Sequence, residues 1–195
     1  MSEDRPFVSR GGLKLRHALD AFHLDVNGQT AADLGCSTGG FTDCLLRAGA
    51  ATVYAVDTAY GQLAWTLRND PRVVVLERTN ALHATPPERV GVVVMDLGWT
   101  PQRLAIPAAV KWVLQGGRLI SLVKPHYEVK DAGGALPRGG VLAEADAARV
   151  VESVTAQMPS WGVRVLGVTK SPILGGAKAA GNAEWLVLLE ATDAA

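Results

Sequence analysis

Little in this sequence points to a membrane, a secreted scaffold or a broadly basic surface. Only two of the 195 residues are cysteines, which is too few for a disulfide framework. The 19 Lys and Arg balance the 19 Asp and Glu, so the net charge argues against a nonspecific nucleic-acid surface but leaves a local basic cleft open. No apolar run approaches the roughly eighteen residues of a spanning helix, and no signal peptide is visible. We therefore predict a cytoplasmic protein that does not enter membranes.

Metal ligands are also scarce. The spacing of Cys36 and Cys44 matches neither a zinc knuckle nor a redox pair, and the four histidines show no ligand spacing. We predict that both cysteines only pack in the core and that the protein holds no metal.

Short Val-rich runs are abundant and alternate mainly with helical patterns. This alternation predicts a doubly wound, mostly parallel α/β sheet in a single domain over residues 1–195. The seven predicted strands are Thr30–Leu34, Thr52–Val56, Val73–Leu76, Val90–Met95, Arg118–Val123, Val163–Val168 and Trp185–Leu189. The first predicted helix begins at Ser9, a good N-cap residue, and the others span Phe41–Arg47, Gln62–Arg68, Pro101–Leu114 and Ala143–Gln157.

The last two strands break this alternation. Residues 171–183 between them are rich in Gly and Ala and leave little room for a crossover helix, which favours an antiparallel pair. An antiparallel last strand begins at the edge where the parallel strands end, and ligands bind at that edge. Glu184, at the start of this strand, is therefore predicted to face the site.

A glycine-rich turn follows the first strand and opens the next helix. It lacks the second glycine of G-x-G-x-x-G, so a cofactor without phosphates suits it better than a dinucleotide. Asp57 lies twenty-four residues after Asp33, a distance at which a carboxylate can bind both ribose hydroxyls, and Asn80 could border an adenine. The alternative is a loop that only turns the chain. The residues expected to contact the cofactor are Asp33, Gly35, Ser37, Thr38, Gly39, Gly40, Phe41, Asp57, Asn80 and Asp96.

Charged residues close two of the apolar strands. Asp96 ends the fourth strand and Lys124 ends the fifth, so both project from the carboxyl edge of the sheet. Either residue alone could be a solvated strand end. Together with Lys14 and Glu184 they form the candidate catalytic group.

Several longer stretches carry a resemblance to a known family. They are Val8–Leu15, Ser37–Cys44, Tyr60–Trp65, Leu67–Val73, Lys124–Glu128 and Gly139–Val141. Together they resemble the FtsJ-like methyltransferases of the TlyA, or hemolysin A, branch. The similarity covers nearly the whole chain, from Phe7 to Glu190.

That resemblance implies a Rossmann-like class I methyltransferase fold with S-adenosylmethionine as the cofactor. It also implies methylation of ribose 2′-hydroxyls, with ribosomal RNA or a ribosomal subunit as the partner. The Lys-Asp-Lys-Glu tetrad of the family maps onto Lys14, Asp96, Lys124 and Glu184. We expect Lys124 to be the base, Lys14 to lower its pKa and position the hydroxyl, and the two carboxylates to orient the lysines.

Two departures from the family pattern bear on the substrate. Members of the branch usually carry a small N-terminal RNA-binding domain, whereas we expect this chain to start almost directly at the methyltransferase core. The segment Leu97–Pro101 also differs from the Ser-Phe type of sequence in the family and should border the acceptor, which leaves the acceptor open. The glycine-rich stretch Asp131–Gly140 is either an acceptor-side lid or an ordinary mobile loop.

Two other functions stay open. A methyltransferase of the same fold acting on a small molecule or a protein would fit the neutral charge. A noncatalytic RNA-binding or hemolysin-like protein would fit the hemolysin name of the branch. The four reactive residues favour an RNA-modifying enzyme over both, and no amphipathic membrane segment is apparent.

Overall fold

The apolar runs form one seven-stranded sheet in the computed structural model, which describes residues 6–176 and 181–192. The order across the sheet is β3-β2-β1-β4-β5-β7-β6, and β7 runs in the direction opposite to the other six strands. The predicted doubly wound fold class is thereby confirmed. The strands are β1 Thr30–Leu34, β2 Thr52–Val56, β3 Val73–Leu76, β4 Val90–Met95, β5 Val113–Val123, β6 Val163–Lys170 and β7 Trp185–Ala191.

Helices cover both faces of this sheet. Successive residues of a strand point to opposite faces, and Leu119 and Ile120 of β5 accordingly belong to two different buried clusters. Because both faces are covered, β4 is buried from Val92 to Met95. In the described ranges the helices are α1 Gly11–Ala21, α2 Gly40–Arg47, α3 Trp65–Arg68, α4 Gln102–Val110, α5 Pro125–Asp131 and α6 Glu144–Gln157, followed by a 3-10 turn at Met158–Trp161.

The core holds no reactive thiol. Cys36 and Cys44 are both free and buried, and burial raises the pKa of each thiol. Across residues 6–176 and 181–192, no helix combines the length and the apolar character needed to cross a bilayer.

The largest difference from the predicted elements lies around β5. Val90 of β4 pairs with Val113, but Val92 pairs with Arg118, so residues 114–117 bulge out of the ladder. Val113 therefore begins β5, and the predicted helix Pro101–Leu114 is wrong beyond Val110. Gly116, with a φ of 69°, supplies the backbone conformation that the bulge requires.

Two helix starts also differ from prediction, and one helix was not predicted. Ser9 is not the N-cap of α1, because Arg10 holds that position and Ser9 contributes only its carbonyl oxygen, which accepts from Gly12 N at 3.2 Å. The predicted helix from Gln62 is wrong in its first turn, since Ala64 is extended and donates to Thr38 O. Helix α5 was not predicted, although Pro125 in its first turn is a helix-start signal.

Candidate active site

The glycine turn between β1 and α2 gathers the ends of three strands. The N–H groups of Gly35 and Cys36 both donate to Val56 O, at 2.8 and 3.0 Å. A Cβ at Gly35 would lie 2.6 Å from the carbonyl oxygen of Asp96, and its φ of 85° also favours glycine. The turn therefore brings the ends of β1, β2 and β4 around one point at the carboxyl edge.

Asp57 closes β2 and fixes the conformation of this turn. Its Oδ2 accepts from Ser37 N at 2.7 Å, and its Oδ1 accepts from Ala59 N at 2.8 Å. A carboxylate can accept about four hydrogen bonds, so Asp57 keeps capacity for the hydroxyls of a ligand.

Asp33 joins β1 to the first turn of α2. Its Oδ2 accepts from Thr42 N at 2.8 Å and from Thr42 Oγ1 at 2.7 Å. Its Oδ1 is buried and has no hydrogen-bond partner among the described residues. Burial, opposed by the bonds from Thr42, raises the pKa of Asp33 to about 7.

Two adjoining cavities meet at this turn and share Gly35, Ser37 and Asp96. The first, of about 560 Å³, lies beyond β2 and is also lined by Asp57 and Asn80. The second, of about 780 Å³, lies between the turn and the start of α1. It is lined by other predicted cofactor residues, namely Asp33, Thr38, Gly40 and Phe41.

Gly39 is the predicted cofactor residue that lines neither cavity. Its φ is 99°, and a Cβ there would lie 2.4 Å from Leu67 Cδ1 and 2.7 Å from Leu63 Cδ1. Its place in the structure is that of the N-cap of α2, packed under these two leucines.

The four candidate catalytic residues line a third cavity, of about 580 Å³. Lys14 of α1 donates to Glu184 at 2.5 Å, and their residues are only 7% and 3% exposed. Lys124, at the end of β5, forms an ion pair with Asp96. Because Asp96 lines all three cavities, the two lysine–carboxylate pairs adjoin the region where the cofactor residues converge.

The expected depression of the Lys124 pKa is wrong for the protein without ligands. Burial alone would lower the pKa of Lys124, but the charge of Asp96, a hydrogen bond to it and the charge of Glu184 together raise it above its usual value. The positive charge of Lys14 is balanced by the carboxylate of Glu184, so Lys14 exerts little of the repulsion on Lys124 that the prediction required.

An aromatic group lies beside the four charged residues. His126 and Tyr127 line their cavity, and Trp99, in the segment Leu97–Pro101 that was predicted to border the acceptor, lines the first cavity next to it. Trp99 is 76% exposed, and its ring lies 4.7 Å from that of Tyr127 between centroids. Tyr127 also contacts His126 at 4.2 Å, and Lys130 lies over Trp99. Trp99 has a φ of 62°, rare for a bulky residue, which is the kind of strain found at functional sites. The signal in the sequence was an aromatic residue just after each strand-ending charge.

A buried polar network holds the helix that begins after Lys124. The N–H of Gln102, in the first turn of α4, donates to Glu128 of α5 at 3.0 Å. The Gln102 side chain accepts from Ser121 Oγ at 2.5 Å and donates to Leu122 O at 3.3 Å. These bonds fix the end of β5 relative to α4 and α5.

The predicted lid segment lies beside the same cavity. Gly139 and Gly140 line it, and Asn182 ties the segment down by donating to Gly140 O at 2.9 Å and accepting from Leu142 N at 2.9 Å. A lid role for Asp131–Gly140 stays a prediction.

Comparison with known proteins agrees with this geometry. The family model of the FtsJ-like methyltransferases matches residues 7–190. The 16S/23S rRNA (cytidine-2′-O)-methyltransferase TlyA of Mycobacterium tuberculosis is 45% identical over 190 residues, which are 95% of this chain and 69% of the relative.

Solved structures give the same result. One from Streptococcus thermophilus, described as a "putative hemolysin", is 39% identical with a TM-score of 0.89, covering 100% of this chain and 70% of the other. The N-methyltransferase NodS of Bradyrhizobium japonicum, in complex with S-adenosyl-L-homocysteine, shares the fold at 17% identity and a TM-score of 0.62, covering 98% and 90%. The chain therefore belongs to the FtsJ-like methyltransferase family, and S-adenosylmethionine is its cofactor.

Proposed function

We propose that this enzyme methylates a ribose 2′-hydroxyl in ribosomal RNA. The observation that carries the proposal is the pair of ion pairs, Lys14 with Glu184 and Lys124 with Asp96, around one cavity that adjoins the cofactor region. A ribose hydroxyl is a poor nucleophile until its proton is removed, and lysine can act as the base. The cytidine-2′-O activity in the name of the M. tuberculosis relative supports this acceptor. Such a substrate would place the enzyme in the cytoplasm.

The cofactor cavities suit S-adenosylmethionine. The ionisable side chains of the first cavity are Asp57, Asp96 and Lys124, and Lys124 is paired, so this lining favours a cofactor without phosphates. Asp57 would bind the ribose hydroxyls and Asn80 would border the adenine. The remaining contacts would come from Asp33, Gly35, Ser37, Thr38, Gly40 and Phe41, and Gly39 would act by shaping the turn. When bound, the cofactor supplies a methyl group on a positively charged sulfur that leaves as a neutral thioether.

Each residue of the tetrad has a separate task in this proposal. Lys124 acts as a neutral amine that takes the proton of the acceptor hydroxyl, and Asp96 holds the ammonium group that results. Lys14, held by Glu184, binds the acceptor oxygen as a hydrogen-bond donor. Asp96 raises the pKa of Lys124 in the free protein, but the positive charge that a bound cofactor carries on its sulfur would offset that rise. Lys124 is therefore expected to lose its proton only in the complex with cofactor.

The test is methyl transfer from labelled S-adenosylmethionine to unmodified ribosomal subunits and their naked RNA, with the methylated nucleotide mapped. Lys124→Ala should lower kcat by about 100-fold or more, since it removes the base. The matched control is Lys111→Ala. Lys111 is an exposed lysine at the end of α4, close to the start of β5 and hence at the opposite edge of the sheet. It should retain the activity of the unmodified protein.

The outcomes separate the alternatives. A ribose mark that disappears in Lys124→Ala but persists in Lys111→Ala supports the proposal. Tight cofactor binding without transfer to either RNA substrate would reject an RNA acceptor and favour a small molecule or a protein. A mark on a base would reject the 2′-hydroxyl.

A further inference from the structure

Two exposed aromatic side chains belong to segments that border the cofactor cavities, and Ala64, just before Trp65, donates its N–H to Thr38 O in the lining of the second cavity. Tyr60 is 69% exposed and Trp65 is 75% exposed, whereas hydrophobic side chains of this size are normally largely buried. Tyr60 follows β2, and its neighbours Ala59 and Gln62 line the first cofactor cavity. The four catalytic candidates surround the third cavity, and two of them, Asp96 and Lys124, also line the first.

The segment that carries Tyr60 is tied firmly to the rest of the protein. Gly61 N donates to Glu77 Oε1 at 2.7 Å, and Glu77 also forms an ion pair with Arg68. Arg78 N donates to Ala59 O at 3.2 Å. The backbone around Tyr60 is thus fixed while its ring stays in water, so a partner that stacks on the ring would meet a preformed surface.

Arg78 adds a positive charge to this surface. Its guanidinium lies over the Tyr60 ring, 4.4 Å from the centroid, and its φ is 53°. It forms no ion pair with a carboxylate of residues 6–176 or 181–192, whereas Arg68 and Arg72 nearby are both paired. Its charge contributes to lowering the pKa of Glu77, but no described carboxylate lies within ion-pair distance of it. An arginine held in this way on an aromatic ring is suited to a phosphate, and aromatic faces are suited to unstacked bases.

We propose that Tyr60, Trp65 and Arg78, called here the cofactor-side rim, bind unpaired nucleotides of the RNA substrate other than the methylated one. The inference rests on the proposed function, because it takes RNA to be the acceptor. The rim stacks bases on Tyr60 and Trp65, and Arg78 binds a phosphate. The RNA would then be held on both sides of the cofactor region, with the acceptor ribose at the tetrad.

The experiment measures RNA affinity, cofactor affinity and kcat for Tyr60→Ala, Trp65→Ala and Arg78→Ala. The RNA is the unmodified ribosomal RNA transcribed in vitro. Each variant is expected to weaken RNA binding about five- to tenfold, because one stacked base or one phosphate contact is lost. The dissociation constant of S-adenosylmethionine and kcat at saturating RNA should not change. Tyr60→Phe, which keeps the ring, should restore the affinity of the unmodified protein.

Arg89→Ala removes an exposed arginine just before β4, at the opposite edge of the sheet, and should not alter RNA affinity. Unchanged RNA affinity in all three rim variants, or a loss of cofactor affinity instead, would overturn the proposal that the cofactor-side rim binds RNA. A defect seen with ribosomal subunits but not with naked RNA would also overturn it, in favour of a protein contact. If the unmodified protein transfers no methyl group to any RNA, the proposed function itself fails, which is a distinct result.

Discussion

At the scale of single residues, the protonation of Lys124 is the feature most open to experiment. Lys124 can act as a base only in its neutral form, and its pKa is raised in the free protein. The rate should therefore rise with pH until Lys124 has lost its proton. In Asp96→Asn the main charge that raises this pKa is removed. We expect the ascending limb of the pH profile of single-turnover rates, measured at saturating cofactor, to move to lower pH. A limb that stays in place or moves to higher pH would show that another group controls the rate.

The raised pKa of Asp33 predicts that the stability of the fold depends on pH. Its pKa of about 7 in the folded protein lies above the value of 3.8 for a free side chain, so its contribution to stability is complete below pH 3.8 and is lost as the pH rises to about 7. This difference corresponds to at most about 4 kcal/mol. Asp33→Asn should therefore raise the Tm relative to the unmodified protein more at pH 8 than at pH 5. Asp25→Asn, at an exposed carboxylate, is the control, and equal shifts at both pH values would contradict the prediction.

At the scale of elements, the junction of β1 with α2 depends on the space around Gly39. Gly39→Ala would combine a strained φ of 99° with a collision against Leu63 and Leu67, whereas Gly61→Ala would bring only the strain, at a φ of 73° in open space. We expect Gly61→Ala to lower the free energy of unfolding by about 1 kcal/mol and Gly39→Ala by about 2–4 kcal/mol. Urea unfolding of both variants checks this. Equal losses would mean that the two leucines move aside without cost.

The same elements show what could be predicted from the sequence. The bounds of β1 to β4 could be predicted from local sequence, because each is a short, mainly apolar run that stands between turn residues. The start of β5 was not predictable in this way. Val113 joins the sheet only because a bulge at residues 114–117 brings it opposite Val90, and that pairing depends on the neighbouring strand. The short α5 was missed because its seven residues carry little apolar periodicity.

Some features of the candidate site could likewise be predicted from the sequence, and others could not. Asp96, Lys124 and Glu184 were found because strand ends in this fold have a known location. The direction of the Lys124 pKa shift was not predicted correctly, because it depends on which carboxylate contacts which lysine. The exposed rings of Trp99 and Tyr60 were also missed, since exposure follows from the surrounding surface and not from local sequence.

At the scale of the whole molecule, the distribution of charge limits how RNA can bind. Most cations of the described residues are matched by carboxylates, among them Arg103, Arg118, Arg164 and Lys170. Because only a few cations are then free for phosphates, we expect the logarithm of RNA affinity to fall with the logarithm of salt concentration with a slope of about −2 to −4. Filter binding between about 50 and 200 mM salt measures it. A much steeper slope would indicate a broad basic surface.

The order of strands in the sheet also governs when the enzyme becomes active during its own synthesis. β7 follows the other six described strands in the sequence, yet it lies between β5 and β6 and begins beside Glu184, the partner of Lys14 in α1. A nascent chain that has emerged as far as β4 already has the glycine turn and Asp57, but it lacks Lys124, which follows β5, and Glu184, the carboxylate partner of Lys14. An enzyme proposed to modify ribosomal RNA would thus stay catalytically silent on the ribosome that is making it until β7 has emerged.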